Sequence, residues 1–133
     1  MMENERAWFC SRPTQRRAFL FETARADNEA ACEAIVTGRP VSDIDAAAQE
    51  VMECAGCADL ILHRAGHGMG TVGHEFSEDM AFNRPRENEV CSARPSLYQW
   101  GLGGFRHKDT VVVGTRPEVL TKAPKSLASQ TIL

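Results

Sequence analysis

Apolar positions in the first 55 residues recur with helical spacing. Leu20, Ala24, Ala31 and Ile35 keep one helical face apolar, Pro13 can open that helix, and Gly38 and Pro40 end it. Ser42 announces a second helix, with Asp45 three residues on as a weak capping box. Its core stripe is Ile44, Ala47, Val51, Met52 and Ala55, and Gly56 stops it. A short extended stretch, Ala7-Trp8-Phe9-Cys10, precedes both. Beyond Gly56 the texture changes to short strand-like runs at residues 60–62, 89–93, 110–113 and 119–120, several of them separated by glycine-rich turns. Two helices followed by short strands, with little room for crossover helices, predict an α+β fold with a mainly antiparallel sheet. Residues 76–88 are polar and read as a surface loop, and the tail from Lys122 has no strong pattern.

At 133 residues one domain is expected, and 43% hydrophobic with 25% charged residues is enough to bury a core. The net charge of -3 comes from interspersed signs and leaves no broad basic footprint for nucleic acid, so small-molecule or protein partners are expected. No apolar run has the length of a membrane span, and Glu3, Glu5 and Arg6 stand where a signal peptide needs its hydrophobic core. A soluble cytoplasmic protein is predicted. The odd number of cysteines, five, agrees with a reducing compartment.

The chemistry concentrates between His63 and Thr121. His63, His67 and His74-Glu75 lie in a glycine-rich run, followed by Gly101-Leu102-Gly103-Gly104-Phe105-Arg106-His107-Lys108-Asp109-Thr110. Imidazoles beside glycines suggest close backbone approach to a ligand and side chains that bind metal or move protons. Cys54 and Cys57 with His63 and His67 invite a zinc reading, but the cysteines continue a helical pattern while the histidines sit in a glycine-rich turn. A helical His-x-x-x-His metal pair is disfavoured as well, because Gly66, Gly68 and Gly70 each cost about 1 kcal/mol in a helix. A loop or strand end is expected for this stretch.

The strings His63-Arg64-Ala65-Gly66-His67-Gly68-Met69-Gly70 with His74-Glu75, then Pro95 and Tyr98, then Gly103-Gly104-Phe105-Arg106 with Asp109-Thr110, and Val119-Leu120-Thr121 together resemble the C-terminal half of the pita-bread fold. That superfamily includes creatinase, Xaa-Pro aminopeptidase, prolidase and methionine aminopeptidase. The resemblance implies a partial pita-bread domain: residues 1–10 closing the first-half strand, 13–56 the linking helices, 57–121 the second-half sheet, and 122–133 a tail. Gly103 to His107 and the Leu120 to Pro124 ending look closest to the creatinase-like branch.

Peptidase members of this family hold two divalent metals, such as Mn, Co or Zn, with two aspartates, one histidine and two glutamates. By resemblance His67 matches the metal-binding histidine and Glu3 the second aspartate, while the first aspartate would fall before Met1. Arg94 and Lys108 stand where the two glutamates are expected, so both anionic ligands are replaced by cations. A unit-charge contact at about 4 Å is worth roughly 4 kcal/mol at an effective dielectric near 20, and its reversal swings the balance by about twice that. No metal cofactor is therefore expected. In the metal-independent creatinase-like branch, Glu5 matches a substrate-side glutamate, and Arg94 would repel a guanidinium substrate.

The resemblance makes His67, His74 and Glu5 the catalytic candidates, and His63, Tyr98 and Arg106 the substrate-binding ones. Tyr98 and Trp100 either line the cleft or pack in the core, and Arg106 with Asp109 is expected as a structural ion pair. Three functional expectations follow. The first is a peptidase- or creatinase-like protein with an ancestral C–N hydrolase activity, impaired here. The second is a metal-independent hydrolase or lyase completed by a partner chain, and the third a non-catalytic interaction module. Unpaired strand edges predict a homo-oligomer or pairing with a complementary half-domain.

Overall fold

The computed structural model describes residues 2–74 and 83–132. Glu75 and residues 76–82 of the expected polar loop lie outside the described residues, and 83–88 run as coil and a turn.

Thr14 sits in extended conformation before helix α1 (Gln15–Ala34), and its hydroxyl accepts a hydrogen bond from the Arg17 N–H at 3.4 Å. The predicted stripe Leu20, Ala24 and Ala31 is fully buried, with Ile35 just past the helix end. Helix α2 (Ser42–Cys54) buries Ile44, Ala48 and Met52, spaced four residues apart on the face turned to α1 and the sheet. Gly56 terminates it at φ +65°, a conformation that only glycine adopts without strain. The expected capping box does not form: Val41 is the cap residue and makes no side-chain bond. Asp45 turns elsewhere, its Oδ1 accepting from the Ala65 N–H at 2.7 Å.

The run expected as a strand at residues 60–62 is not one: Leu60 ends a 3-10 turn, Ala58–Leu60, and Ile61 and Leu62 run on as coil, Leu62 exposed. Among the described residues six strands follow the chain: β1 (Glu5–Arg6), β2 (Gly66–Met69), β3 (Val90–Ala93), β4 (Ser96–Gln99), β5 (Gly103–Val112) and β6 (Glu118–Val119). Every pairing between these strands is antiparallel, in agreement with the α+β expectation, and two isolated parallel bridges, Phe9–Thr131 and Val36–Gly114, lie outside them. The ten-residue β5 is the hub. Its first half pairs with β4, its middle with β1, and its second half with β3 and β6, while β2 pairs with the far side of β3.

Side chains alternate along β5 and so divide its neighbours into two faces. Phe105, His107, Asp109 and Val111 point toward α1 with Leu97 and Ala93, their register partners or neighbours. One apolar cluster joins the C-terminal part of α1 with Ile44, Ala48, Ala93, Val111 and Val113. A second joins Leu20, Phe21, Ala24, Met52, Cys57, Leu97 and Phe105. Asn28 ties helix to sheet, its Nδ2 donating to the carbonyls of Ala93 and His107 at 3.2 and 3.4 Å. The tail is also anchored: the Phe9 N–H donates to the Gln130 carbonyl, and the Ile132 N–H to the Phe9 carbonyl, each at 2.8 Å.

Candidate functional site

The opposite face of β5 carries Arg106, Lys108 and Thr110, and register brings the candidate residues to it. Lys108 faces Glu5 on β1, Thr110 faces Ser92 on β3, and Ser92 faces His67 on β2. Glu3 is clipped to this face by two 2.8 Å bonds, its N–H donating to Thr110 Oγ1 and its carbonyl accepting from the same hydroxyl. Arg94, directly after β3, continues the alternation begun by Ser92. The glycine-rich stretch expected as a loop or strand end is a strand in its own right, which is how His67 enters the sheet.

His67 is the most enclosed of the three clustered histidines, with a side chain 2% exposed. Its Nδ1 lies 3.0 Å from the Gly68 carbonyl, which can only accept, so Nδ1 carries the proton and Nε2 the lone pair. Nε2 stands 3.4 Å from Glu3 Oε2, and the ring stacks on His74 at 3.7 Å between centroids and 21° between planes. Burial lowers the His67 pKa; the Gly68 bond opposes that, and the neighbouring His74, Lys108 and Arg94 push it further down. The imidazole is therefore neutral near pH 7.

Lys108 closes this cluster. Its ammonium is in direct contact with Glu3 Oε2, the same oxygen that faces His67. Burial alone would raise the Glu3 pKa, but the Lys108 hydrogen bond and charge, helped by His67 and His74, bring it below the ordinary value. Glu3 is thus a carboxylate neutralised by a lysine of its own chain.

The remaining candidates form separate pairs along the same face. His63 Nδ1 donates to the Arg64 carbonyl at 2.9 Å, so its Nε2 accepts from the Tyr98 hydroxyl at 3.0 Å. Arg106 pairs with Glu5 at 3.0 Å. The expected Arg106–Asp109 pair does not exist, because residues three apart on a strand face opposite sides. Asp109 instead accepts from Arg6 at 2.7 Å, Thr121 at 2.5 Å and Lys125 at 2.5 Å on the helix side. Trp100 is fully exposed and lines nothing, whereas Tyr98 is half-buried against His63. Sequence reasoning missed Ser92, Arg6 and Lys125, and only Ser92 left a signal, as the residue two before Arg94 on a strand-like run.

A hub strand flanked by antiparallel partners, with two helices on one face of the sheet, is the architecture of a partial pita-bread fold. The chain belongs to metallopeptidase family M24, whose model matches residues 3–115. It is 28% identical over 118 residues to the Xaa-Pro dipeptidase of Pyrococcus furiosus, covering 86% of this chain and 34% of that protein. To the Xaa-Pro dipeptidase of Lactobacillus delbrueckii subsp. lactis it is 32% identical over 103 residues, 76% of this chain and 28% of that one. The fold superposes on a dipeptidase from Pyrococcus horikoshii OT3 with a TM-score of 0.90 at 27% identity, covering 99% of this chain and 37% of that chain. The chain thus spans about a third of the length of the relatives it matches.

The family name implies metal, and the donor set does not fit it. A divalent cation beside His67 and Glu3 would meet the Lys108 ammonium already bound to Glu3, with the Arg94 charge close enough to act on His67. Like charges at about 4 Å repel by roughly 4 kcal/mol at an effective dielectric near 20. Among the described residues, no three of His, Cys, Asp and Glu converge as a metal-holding group. Cys57 Sγ lies 3.6 Å from the Ala55 carbonyl at the end of α2, on a different part of the fold from His67. No helix among the described residues is long and apolar enough to cross a membrane.

Proposed function

We propose that this protein uses a dipeptidase-type cleft for ligand binding without two-metal hydrolysis, the lysine ammonium supplying in place the positive charge that relatives take from metal. The supporting observation is the Lys108–Glu3 contact beside the neutral Nε2 of His67. A substrate carbonyl placed there meets no Lewis acid and no activated water. It meets an ammonium with its charge largely spent on Glu3, and an imidazole able to accept one proton. The His63–Tyr98 and Arg106–Glu5 pairs extend the polar rim along the face and suit recognition of a peptide-like or small polar ligand.

The test combines elemental analysis with turnover of Xaa-Pro dipeptides in the presence of Mn, Co or Zn. Substoichiometric metal and no turnover above the buffer are expected. Two metals per chain, lost on His67→Ala and accompanied by hydrolysis, would sink the reading.

One observation favours a metal-independent hydrolase of small amides or amidines instead: the His74 ring stacks on His67 and holds its Nε2, a base with no hydrogen-bond partner among the described residues, in place. Turnover of such a substrate in chelator, abolished by His74→Ala, would select this reading.

A further inference from the structure

Resting on the metal-free reading of the cleft, we infer that the same seat binds a compact oxyanion, a carboxylate or a phosphate, held by the Ser92 hydroxyl and the Arg94 guanidinium beside Lys108. Ser92 is 1% exposed and its hydroxyl has no hydrogen-bond partner among the described residues. Arg94 Nε is shielded from solvent and equally without an acceptor, and among the described residues Arg94 forms no ion pair. A buried guanidinium N–H with nothing to donate to carries its full desolvation penalty, so an acceptor is expected there.

Register places these donors together. Ser92 and Arg94 are two residues apart on one extended stretch, with Cα atoms about 6–7 Å apart on the same face. Lys108 lies across from Arg94 in the β3–β5 ladder, one step beyond the Ala93–Asp109 pair. Arg94 continues the alternation of Ser92, which places it on this side of the sheet. Glu3, whose carboxylate contacts Lys108 among the described residues, is already neutralised by it. What remains is a hydroxyl and a planar fork of N–H donors with a net positive charge, the pattern that recognises two oxygens of a carboxylate or phosphate. A cation or a guanidinium ligand would meet the opposite field.

The purified protein, in low-salt buffer free of oxyanions, would be titrated with N-acetylglycine, with inorganic phosphate and with N-acetylglycinamide as the neutral control, following the histidine imidazole resonances by NMR. Saturable shifts with at least one of the two anions and none with the amide are expected. Stronger binding of N-acetylglycine assigns the site to an organic carboxylate, and stronger binding of phosphate assigns it to the free inorganic ion. Arg94→Gln should weaken binding about tenfold or more, the loss expected for a charge-assisted hydrogen bond. Ser92→Ala should weaken it several-fold and serves where Arg94→Gln does not fold. Arg12→Gln, an equal charge change at an exposed site away from the cleft, should bind as the parent does. Failure of both anions to saturate, or undiminished affinity in folded Arg94→Gln and Ser92→Ala, overturns the inference. Metal content of the same samples separates the two ideas. Two metals per chain defeat the metal-free reading, whereas metal-free protein that ignores both anions defeats only the oxyanion site.

Discussion

Asp109 shows what a single residue does when register turns it inward. Its carboxylate has no solvent exposure and accepts from Arg6 on β1 and from Thr121 and Lys125 in the segment that follows β6. Burial alone would raise its pKa, but those three hydrogen bonds together outweigh it and hold the group ionised. Asp109→Asn would leave the nearly buried Arg6 guanidinium and the Lys125 ammonium without their counter-ion, and breaking such a pair costs about 3–5 kcal/mol. Urea denaturation should show that loss. Glu22→Gln, which breaks a half-exposed pair with Arg25, should shift stability by less than about 1 kcal/mol. A comparable small effect at Asp109 would refute the anchoring role. The sequence named Asp109 and gave it the wrong partner, Arg106, because the choice depends on strand parity and the strand itself was hidden. Charged residues at 106, 108 and 109 break the alternation that marks a half-buried strand, since this face too is partly enclosed.

At the scale of elements, helices were legible and half of the sheet was not. Both helix stripes could be read because apolar groups dominate their inward faces, although α1 also buries Thr23, Asp27 and Asn28 there. Strands β2 and β4 and the first half of β5 were missed because glycines interrupt or flank them, and glycine weighs against any regular element. In β2 the reason for one glycine is now visible. A Cβ on Gly66 would lie 2.2 Å from the Ser92 carbonyl oxygen, so the β2–β3 approach that delivers His67 to the site tolerates no side chain there. Gly66→Ala must push the strands apart, and a cost of about 1–3 kcal/mol or more is expected for such overpacking. The imidazole resonances of His67 should move with it, reporting loss of the Glu3 contact. An alanine variant with parental stability and unchanged His67 resonances would show that the strands can separate freely. Asp45 belongs to this scale as well: read as a helix cap, it is instead the clamp between α2 and the backbone just ahead of β2.

For the whole molecule, two buried groups on the helix side of the sheet set opposing pH dependences. Asp27 on α1 is 1% exposed with neither carboxylate oxygen hydrogen-bonded, and burial, with the nearby charge of Asp45, pushes its pKa from 3.8 up to about 8. Between those values the folded chain holds a proton that the unfolded chain has released, so stability falls as pH rises. His107 is fully buried with its ring edge on Phe21 at 4.7 Å, and burial, with the charges of Arg6 and Lys125, lowers its pKa from 6.5 to about 4. Between those values the unfolded chain binds the extra proton, so stability rises with pH, and the two slopes offset each other. Below that window the lowered carboxylates Asp109 and Glu3 must take protons, and stability is lost as pH falls. Above pH 6.5 the Asp27 slope stands alone up to about 8. One proton over that interval amounts to about 2 kcal/mol. Denaturant midpoints followed across pH should therefore peak near 6.5 and decline toward 8. Asp27→Asn, which removes the titrating group at nearly constant volume, should abolish the alkaline decline and leave the protein more stable than its parent at the upper end. A parent equally stable at both ends of that interval, or a variant that keeps the decline, would mean that Asp27 is ionised in the folded chain and that something else shares its enclosure.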